Sequence, residues 1–266
     1  AFGLGFVIGP ALGGLLAGLG LRAPFYAAAI LCLLNALYGF FVLPESLSKE
    51  NRRPFKWAKA NPVGSLLFLR STKGIGGLAF SFFLIYLAAQ AVQGNWNFYT
   101  EHLFHWSEGM VGASLAVVGL LVGAVQAGLT RVVNPLLGNE KSIYLGLFLY
   151  TAGLVLFGMA TQSWMMFAFL VPYCLGGIAG PALQATLARL VPPSQQGELQ
   201  GALTSLMSLT TIIGPMIMNN LFTYFTSKKA PLYLPGIPFF LAAIFMLSSL
   251  VIAWQVLSRE RKSAAA

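Results

Sequence analysis

Few residues of this chain could carry chemistry. Its 266 residues include seven acidic side chains, all of them glutamates, and two histidines. Glu101, His102, His105 and Glu108 lie together in the stretch EHLFHWSE. Two histidines three residues apart could ligate a metal ion, but the stretch lacks the H-E-x-x-H order of a zinc peptidase. We therefore expect a solvated loop here and no metal site.

The glutamates all lie outside the centres of the apolar segments. They are Glu45, Glu50, Glu101, Glu108, Glu140, Glu198 and Glu260. Catalysis inside a membrane would require acids, histidines or metal ligands within those segments, and none is present there. No glycine-rich phosphate loop with its lysine occurs either, which argues against an ATP-driven pump. We expect neither an enzyme nor a bound cofactor.

The polar residues within the apolar segments are uncharged. Each could contact a small-molecule substrate or, alternatively, hydrogen-bond to a neighbouring helix. Gln126 and Gln184 are the strongest candidates for substrate contact, followed by Gln90 and Tyr150. Weaker candidates are Asn35, Gln93, Asn97 and Tyr173.

The composition is that of a membrane protein. Hydrophobic residues make up 57% of the chain and charged residues 9%, with a mean hydropathy of +0.76, whereas soluble domains are about 25% charged. About 20 apolar residues cross a lipid bilayer as a helix, and no segment has a strand pattern. We predict an all-α polytopic transmembrane helical bundle. Its eight spans are predicted at 1–19, 24–43, 75–93, 109–130, 142–160, 163–184, 199–220 and 237–257.

The net charge of +9 is explained by membrane topology, so no nucleic-acid partner is expected. Thirteen of the 16 basic residues fall on one side of the predicted spans, and only Arg22, Lys228 and Lys229 on the other. Positive residues favour the cytoplasmic side. We expect the basic loops and the C-terminus to be cytoplasmic.

An echo between two segments indicates an internal repeat. VIGPALGG at 7–14 in the first span resembles IIGPMIMN at 212–219 in the seventh, six spans later. Many transporters consist of two repeats of six spans. We therefore expect the chain to be a fragment holding the last eight of twelve spans.

This repeat divides the chain into four parts. Residues 1–43 would hold the last two spans of the N-terminal half, and residues 44–74 a charge-rich cytoplasmic linker. Residues 75–257 would form a complete C-terminal half of six helices, and 258–266 a cytoplasmic tail.

Glycine and proline recur inside the spans although each costs helix stability in water, roughly 1 kcal/mol for glycine and about 3 kcal/mol for proline. Small residues on one helix face allow close packing with another helix, and proline bends a helix. These residues predict either plain tight packing or bent helices that rock during alternating access. The predicted packing motif comprises Gly5, Gly9, Pro10, Gly13, Gly14, Gly180, Pro181, Gly214 and Pro215.

Several stretches together resemble a known family. GFVIGPALGG is similar to the G-x-x-x-G-P-x-x-G-G motif in the fifth span of drug/proton antiporters of the major facilitator superfamily. LPES, WNFYTEHLFHWSEGMVGASLA, GGIAGPALQ and QQGELQGALTSLMSLTTIIGP narrow the resemblance to the tetracycline-resistance efflux family. The resemblance covers nearly the whole chain.

The resemblance implies proton-driven export of an amphipathic drug from the bacterial cytoplasm, with a tetracycline-like compound as the leading candidate. It implies a multi-pass protein of the bacterial inner membrane, expected to be monomeric, whose energy source is the proton gradient. The coupling acids would lie outside this chain, and the fragment alone is expected to be inactive. Tyr150 stands where the family has an aspartate, and Val122 where it can have a histidine. A proton-coupled transporter of a small metabolite remains the alternative.

The predicted topology can be tested by cysteine labelling of intact cells. A cysteine replacing Ser107 should react with a membrane-impermeant reagent added outside, because we place the 94–108 loop on the outer face. A cysteine replacing Ser48, in the basic linker, should be protected. The opposite labelling pattern would overturn the assignment from the basic residues.

Overall fold

The computed structural model describes residues 9, 12, 13, 16, 18–20, 22–44, 69 and 74–265. Within these residues it is built from helices, with no strand. The chain divides into two compact units, Ala1–Phe55 and Lys56–Ala266. We call them unit 1 and unit 2 and describe each by itself.

Unit 1 contributes one long helix to the described part of the chain, and unit 2 contributes a bundle. The helix of unit 1 is α1, Ala23–Phe41. Those of unit 2 are α2, Ile75–Phe104; α3, Glu108–Ala124; α4, Thr130–Met159; α5, Ser163–Leu175; α6, Ala179–Arg189; α7, Gln196–Thr226; and α8, Ile237–Ala265.

Six described helical stretches are long and apolar enough to cross a membrane. The predicted spans 109–130 and 142–160 belong to a single stretch, Glu108–Met159, of 52 residues. Gly138, with φ 78° and ψ 161°, breaks this stretch into two helices without a loop. The predicted span at 1–19 lies mostly outside the described residues. The all-α membrane bundle is confirmed, and one predicted loop is replaced by a kink.

The predicted outer loop at 94–108 is wrong in its extent. α2 continues to Phe104, so Glu101 and His102 belong to its last turn, and only residues 105–107 are non-helical. His105 ends the helix in the left-handed conformation, with φ 54°. Ser107 then caps α3 by accepting a hydrogen bond from the backbone N–H of Met110 at 3.3 Å. Hydropathy underestimated α2 because the helix extends past its apolar part.

Two tryptophans of this region pack inside the bundle. Trp96 is 2% exposed and donates its indole N–H to Ser114 Oγ at 2.9 Å. Trp106 is 7% exposed and donates to Ser163 Oγ at 2.6 Å. A buried indole N–H needs such a partner. Trp96 therefore connects α2 with α3, and Trp106 connects the non-helical residues 105–107 with the start of α5.

The tightest helix packing in unit 2 involves glycines of α4. A Cβ added at Gly146 would lie 2.7 Å from the backbone N of Ala179 and 2.8 Å from the carbonyl oxygen of Gly176. A Cβ at Gly153 would lie 2.8 Å from the backbone of Tyr173. Only a hydrogen at these positions permits such backbone contact. The backbone of α4 therefore packs directly against the backbone of the α5–α6 segment.

α2 and α8 are joined by a buried pair of serines. Ser81 Oγ lies 2.6 Å from Ser249 Oγ, and each hydroxyl donates to the other residue's carbonyl oxygen, at 3.1 and 3.0 Å. Both side chains are 0% exposed. Hydrogen bonds between helices are a principal means of association in membranes.

The glycine contacts predict a difference between two alanine substitutions. Gly146→Ala should destabilise the bundle by about 1–3 kcal/mol, because the added methyl group meets backbone that cannot give way. Gly112→Ala is the matched control on α3, since an added Cβ there has no atom within 4 Å in the part of the chain that the structure describes. Thermal unfolding of the purified protein in detergent measures both. Equal midpoints for the two variants would contradict the packing described.

Candidate functional site

Tyr150, in the middle of α4, occupies the centre of the candidate site. Its ring packs edge-on against that of Tyr173, with 5.1 Å between centroids. The ring also covers Gly176, where an added Cβ would lie 2.6 Å from Tyr150 Cγ. The hydroxyl lies 3.7 Å from the position of a Cβ on Gly177. Tyr150 thus reaches from α4 onto the turn between α5 and α6.

That turn is a single 3₁₀ turn, Gly176–Ile178. Pro181 has no N–H to donate to the carbonyl of Gly177 four residues earlier, so a regular α-helix cannot pass through this point with all its hydrogen bonds. Pro172 lies within α5, one turn before the 3₁₀ turn. Two prolines therefore explain why the predicted span 163–184 is a broken helix.

Gln184 lies exposed on α6. Its side chain is a hydrogen-bonding neighbour of the Tyr86 hydroxyl on α2, and Tyr86 is among the groups that surround Tyr150. Tyr86 on α2, Tyr150 on α4 and Gln184 on α6 therefore lie in one uncharged region of the bundle. We call it the tyrosine–glutamine cluster.

Sequence reasoning did not select Tyr86. It lies four residues before Gln90 on α2, and residues i and i+4 share a helix face. The spacing of Tyr86 and Gln90 could have indicated that the two residues share a face. However, Tyr86 lies in an apolar segment rich in aromatic residues, where a tyrosine is expected to contribute to packing.

Gln90 is 5% exposed and packs against α7. Its side chain occupies the space where Gly214 has no Cβ, so closely that an added Cβ would collide with it. Gly94, one turn along α2, faces Pro215 across the same contact, where a Cβ added at Gly94 would lie 3.8 Å from the Pro215 Cβ. The structure therefore places Gln90 in the contact between α2 and α7, and a role in substrate binding stays a prediction.

Gln126 is half-buried and lies in a π-helical segment, Val125–Leu129, between α3 and α4. We call this the π segment. It packs against the 3₁₀ turn, with Val125 Cγ1 3.7 Å from the position of a Cβ on Gly177. Two interruptions of regular helix thus meet next to Tyr150. Such π bulges occur frequently at functional sites.

Of the predicted packing glycines that the structure describes, Gly214 lies at a tight contact. No described atom lies within 4 Å of a Cβ added at Gly9, Gly13 or Gly180, so close helix contact there stays a prediction. Gly214 is close to a side chain, that of Gln90, whereas Gly146, Gly153, Gly176 and Gly236, outside the predicted motif, are close to backbone. Gly5, Pro10 and Gly14 lie outside the described residues.

The stretch EHLFHWSE lies at the opposite end of α2 from Ile75. His102 Nε2 is 2.9 Å from the Tyr233 hydroxyl. A cleft of about 430 Å³ here is lined by Phe98, Glu101, His102, His105 and Phe222. Among the described residues, no three His, Cys, Asp or Glu side chains come together as a possible metal site.

Long apolar helices that carry no charge over residues 75–100, 109–130 and 142–188 define a multi-pass membrane protein. A family model described as Major Facilitator Superfamily matches residues 1–144 and, in a second match, residues 78–265. The chain belongs to this superfamily, as the sequence motifs predicted. Membership of a superfamily of transporters also agrees with the prediction that the chain is not an enzyme.

Within the superfamily the chain is similar to tetracycline resistance proteins. It is 41% identical over 221 residues to the class C protein of Escherichia coli, covering 83% of this chain and 56% of that protein. It is 37% identical to the class G protein of Vibrio anguillarum, covering 81% and 54%. The chain therefore spans about half the length of the curated relatives it matches.

A solved structure has the same fold. The structure of the human organic anion transporter MFSD10 matches with a TM-score of 0.80. The match covers 95% of this chain and 61% of the MFSD10 chain. The sequences are 23% identical, so the match concerns the fold alone.

The contact between Gln90 and Gly214 predicts energetic coupling. Gly214→Ala should destabilise the protein by about 1–3 kcal/mol, and Gln90→Gly should relieve this because it removes the atoms that the new methyl group meets. We expect a coupling free energy of about 1–2 kcal/mol in a double-mutant cycle measured by thermal unfolding in detergent.

The matched cycle combines Gln90→Gly with Gly197→Ala on α7. No atom of the described residues lies within 4 Å of a Cβ added at Gly197, so these two changes should be additive. Additivity in the Gly214 cycle as well would show that the contact is absent.

Proposed function

We propose that the protein containing this chain exports an amphipathic drug from the cytoplasm in exchange for protons. A tetracycline-like compound is the leading candidate substrate. The similarity to tetracycline resistance proteins of 41% and 37% identity carries this proposal. In it, the chain supplies one wall of a binding cavity that opens alternately to the two sides of the membrane.

The chemistry of the tyrosine–glutamine cluster supports such a substrate. Tyrosine rings offer apolar faces with a hydroxyl at the edge, and a glutamine amide both donates and accepts hydrogen bonds. Pockets for small molecules combine apolar walls with a few polar groups in this way. Gln126 and Gln184, on the π segment and α6, would contact the polar edge of the drug.

We propose that proton coupling uses acidic residues outside the uncharged parts of the helices. The sequence has no charged residue in 142–188, which includes Tyr150 and Gln184, and none in 75–100 or 109–130. An aspartate or glutamate inside a membrane is the usual carrier of coupled protons. No bound cofactor is needed in this scheme, because the proton gradient supplies the energy.

We propose that the protein lies in the bacterial inner membrane with its C-terminus in the cytoplasm, and the arrangement at one end of the bundle supports the orientation. Arg261 Nη1 lies 3.6 Å from Glu140 Oε1, which also accepts a hydrogen bond from the Tyr144 hydroxyl at 3.0 Å. Glu260 lies against Gly74 at the start of α2. The C-terminal part of α8 therefore lies at the end of unit 2 where the predicted basic linker enters. We further propose that the protein acts as a monomer.

A drug-susceptibility panel in an efflux-deficient bacterium tests the proposal. Expression of the whole protein should raise the inhibitory concentration of at least one tetracycline-like drug. Gln184→Ala should reduce that protection by about 2- to 10-fold, the value of one hydrogen bond of about 0.5–1.5 kcal/mol.

Gln255→Ala is the control, since Gln255 is an equally exposed glutamine on α8, away from the cluster, and should leave protection unchanged. Protection against no drug would favour the metabolite transporter instead. Undiminished protection in the Gln184 variant would remove that residue from the binding surface.

A further inference from the structure

The π segment has a hydrogen-bonding arrangement that regular helix cannot form. The carbonyl oxygen of Val125 accepts from the backbone N–H of Thr130, five residues later. The same oxygen accepts from the Thr130 hydroxyl at 2.9 Å. One carbonyl thus receives both donors of Thr130.

Other threonines of unit 2 bond differently. The hydroxyls of Thr151 and Thr186 donate to the carbonyls of Leu147 and Ala182, four residues earlier, each at 2.8 Å. These are the bonds that a threonine makes in a regular α-helix. The Thr130 hydroxyl can bond to the carbonyl five residues earlier only because the π turn is wider than an α turn. That hydrogen bond in turn stabilises the π turn.

The wide turn changes the direction in which Gln126 points. A regular α-helix has 3.6 residues per turn, so one extra residue in a turn rotates the residues before it by about 100° relative to those after it. Gln126 lies within the turn and Thr130 is the first residue after it. Loss of the wide turn would therefore rotate Gln126 relative to the part of α4 that precedes the kink at Gly138.

The surroundings of the π segment make this rotation consequential. Val125 is 4% exposed, and its Cγ1 faces Gly177 of the 3₁₀ turn, 3.7 Å from the position of a Cβ there. The Tyr150 hydroxyl is at the same distance from that position. Val125 is thus held against the turn that Tyr150 also touches, and Gln126 is the next residue.

We propose that Thr130 is a positioning residue that holds the π segment and thereby directs Gln126 toward the substrate beside the tyrosine–glutamine cluster. This inference deepens the proposed function and rests on it for the identity of the substrate as an amphipathic drug. Thr130 acts through the Val125 carbonyl and makes no contact with the drug itself.

The geometric part can be tested without transport, by thiol labelling at position 126. The background carries Cys32→Ser and Cys174→Ala, and Gln126→Cys provides the reporter. In membranes, Thr130→Val keeps the side-chain shape but removes the hydroxyl. It should slow labelling of this cysteine by a maleimide about fivefold, the effect of losing roughly 1 kcal/mol.

Two variants serve as controls. Thr130→Ser retains the hydroxyl and should label at the original rate. Thr151→Val removes a hydroxyl of regular helical geometry from a half-buried position of the same helix, and should also leave the rate unchanged. If Thr130→Val does not reach the membrane, Thr130→Ala removes the same hydroxyl with less bulk and is expected to behave likewise.

The functional part is measured with Gln126 in place. Thr130→Val should raise the KM for the exported drug about fivefold with kcat unchanged, and Thr130→Ser should restore the original KM. A general loss of folding would instead lower the amount of active protein without a change in KM.

The outcomes separate the two proposals. Unchanged labelling in Thr130→Val, or equal slowing in Thr151→Val, overturns the positioning role even if the protein exports drugs normally. Slower labelling confined to the variants that lack the Thr130 hydroxyl supports that role, even if no drug is exported and the proposed function fails.

Discussion

Backbone hydrogen bonding in an apolar surrounding is the constraint on which unit 2 depends. Inside a bilayer an unpaired N–H or C=O has no water to bond to, so each departure from regular helix must be compensated by another group. At the π segment, both donors of Thr130 converge on the carbonyl of Val125. At Gly176–Ile178 the chain tightens into a 3₁₀ turn ahead of Pro181. Both departures lie beside Tyr150, where the candidate site is.

The close approach of α4 to the α5–α6 segment gives that site its rigidity. Gly146 and Gly153 allow backbone contact, and Tyr150, lying between them in sequence, is pressed onto Gly176. From Tyr150 a series of ring contacts runs through Tyr173 and on to Phe157, whose ring lies 5.4 Å from that of Tyr173. Phe157 in turn contacts the rings of Trp96 and Phe239. A shift of Tyr150 would thus affect packed rings along much of the bundle.

Much of the fold could be predicted from the sequence because hydropathy and helix length are local properties. The positions of the spans from 24 to 257 agree with the helices, but their ends do not. α2 continues to Phe104 because a helix persists beyond its apolar part, and the loop expected before residue 142 is a kink at Gly138. Among the candidate contacts, the sequence indicated Gln126 and Gln184 but not Tyr86, whose role depends on a partner nearly 100 residues away.

The sequence by itself determined that this chain crosses the membrane repeatedly and that residues 75–100, 109–130 and 142–188 carry no charge, since both follow from residue type alone. Its motifs also indicated the Major Facilitator Superfamily. Only the tertiary structure decided which glycines form backbone contacts and which polar groups meet. All the glycines lack a side chain. Yet a Cβ added at Gly146 would collide with backbone, whereas a Cβ added at Gly180 would have no described atom within 4 Å. The difference lies in which helix stands opposite, and that is set by packing between residues far apart in the chain.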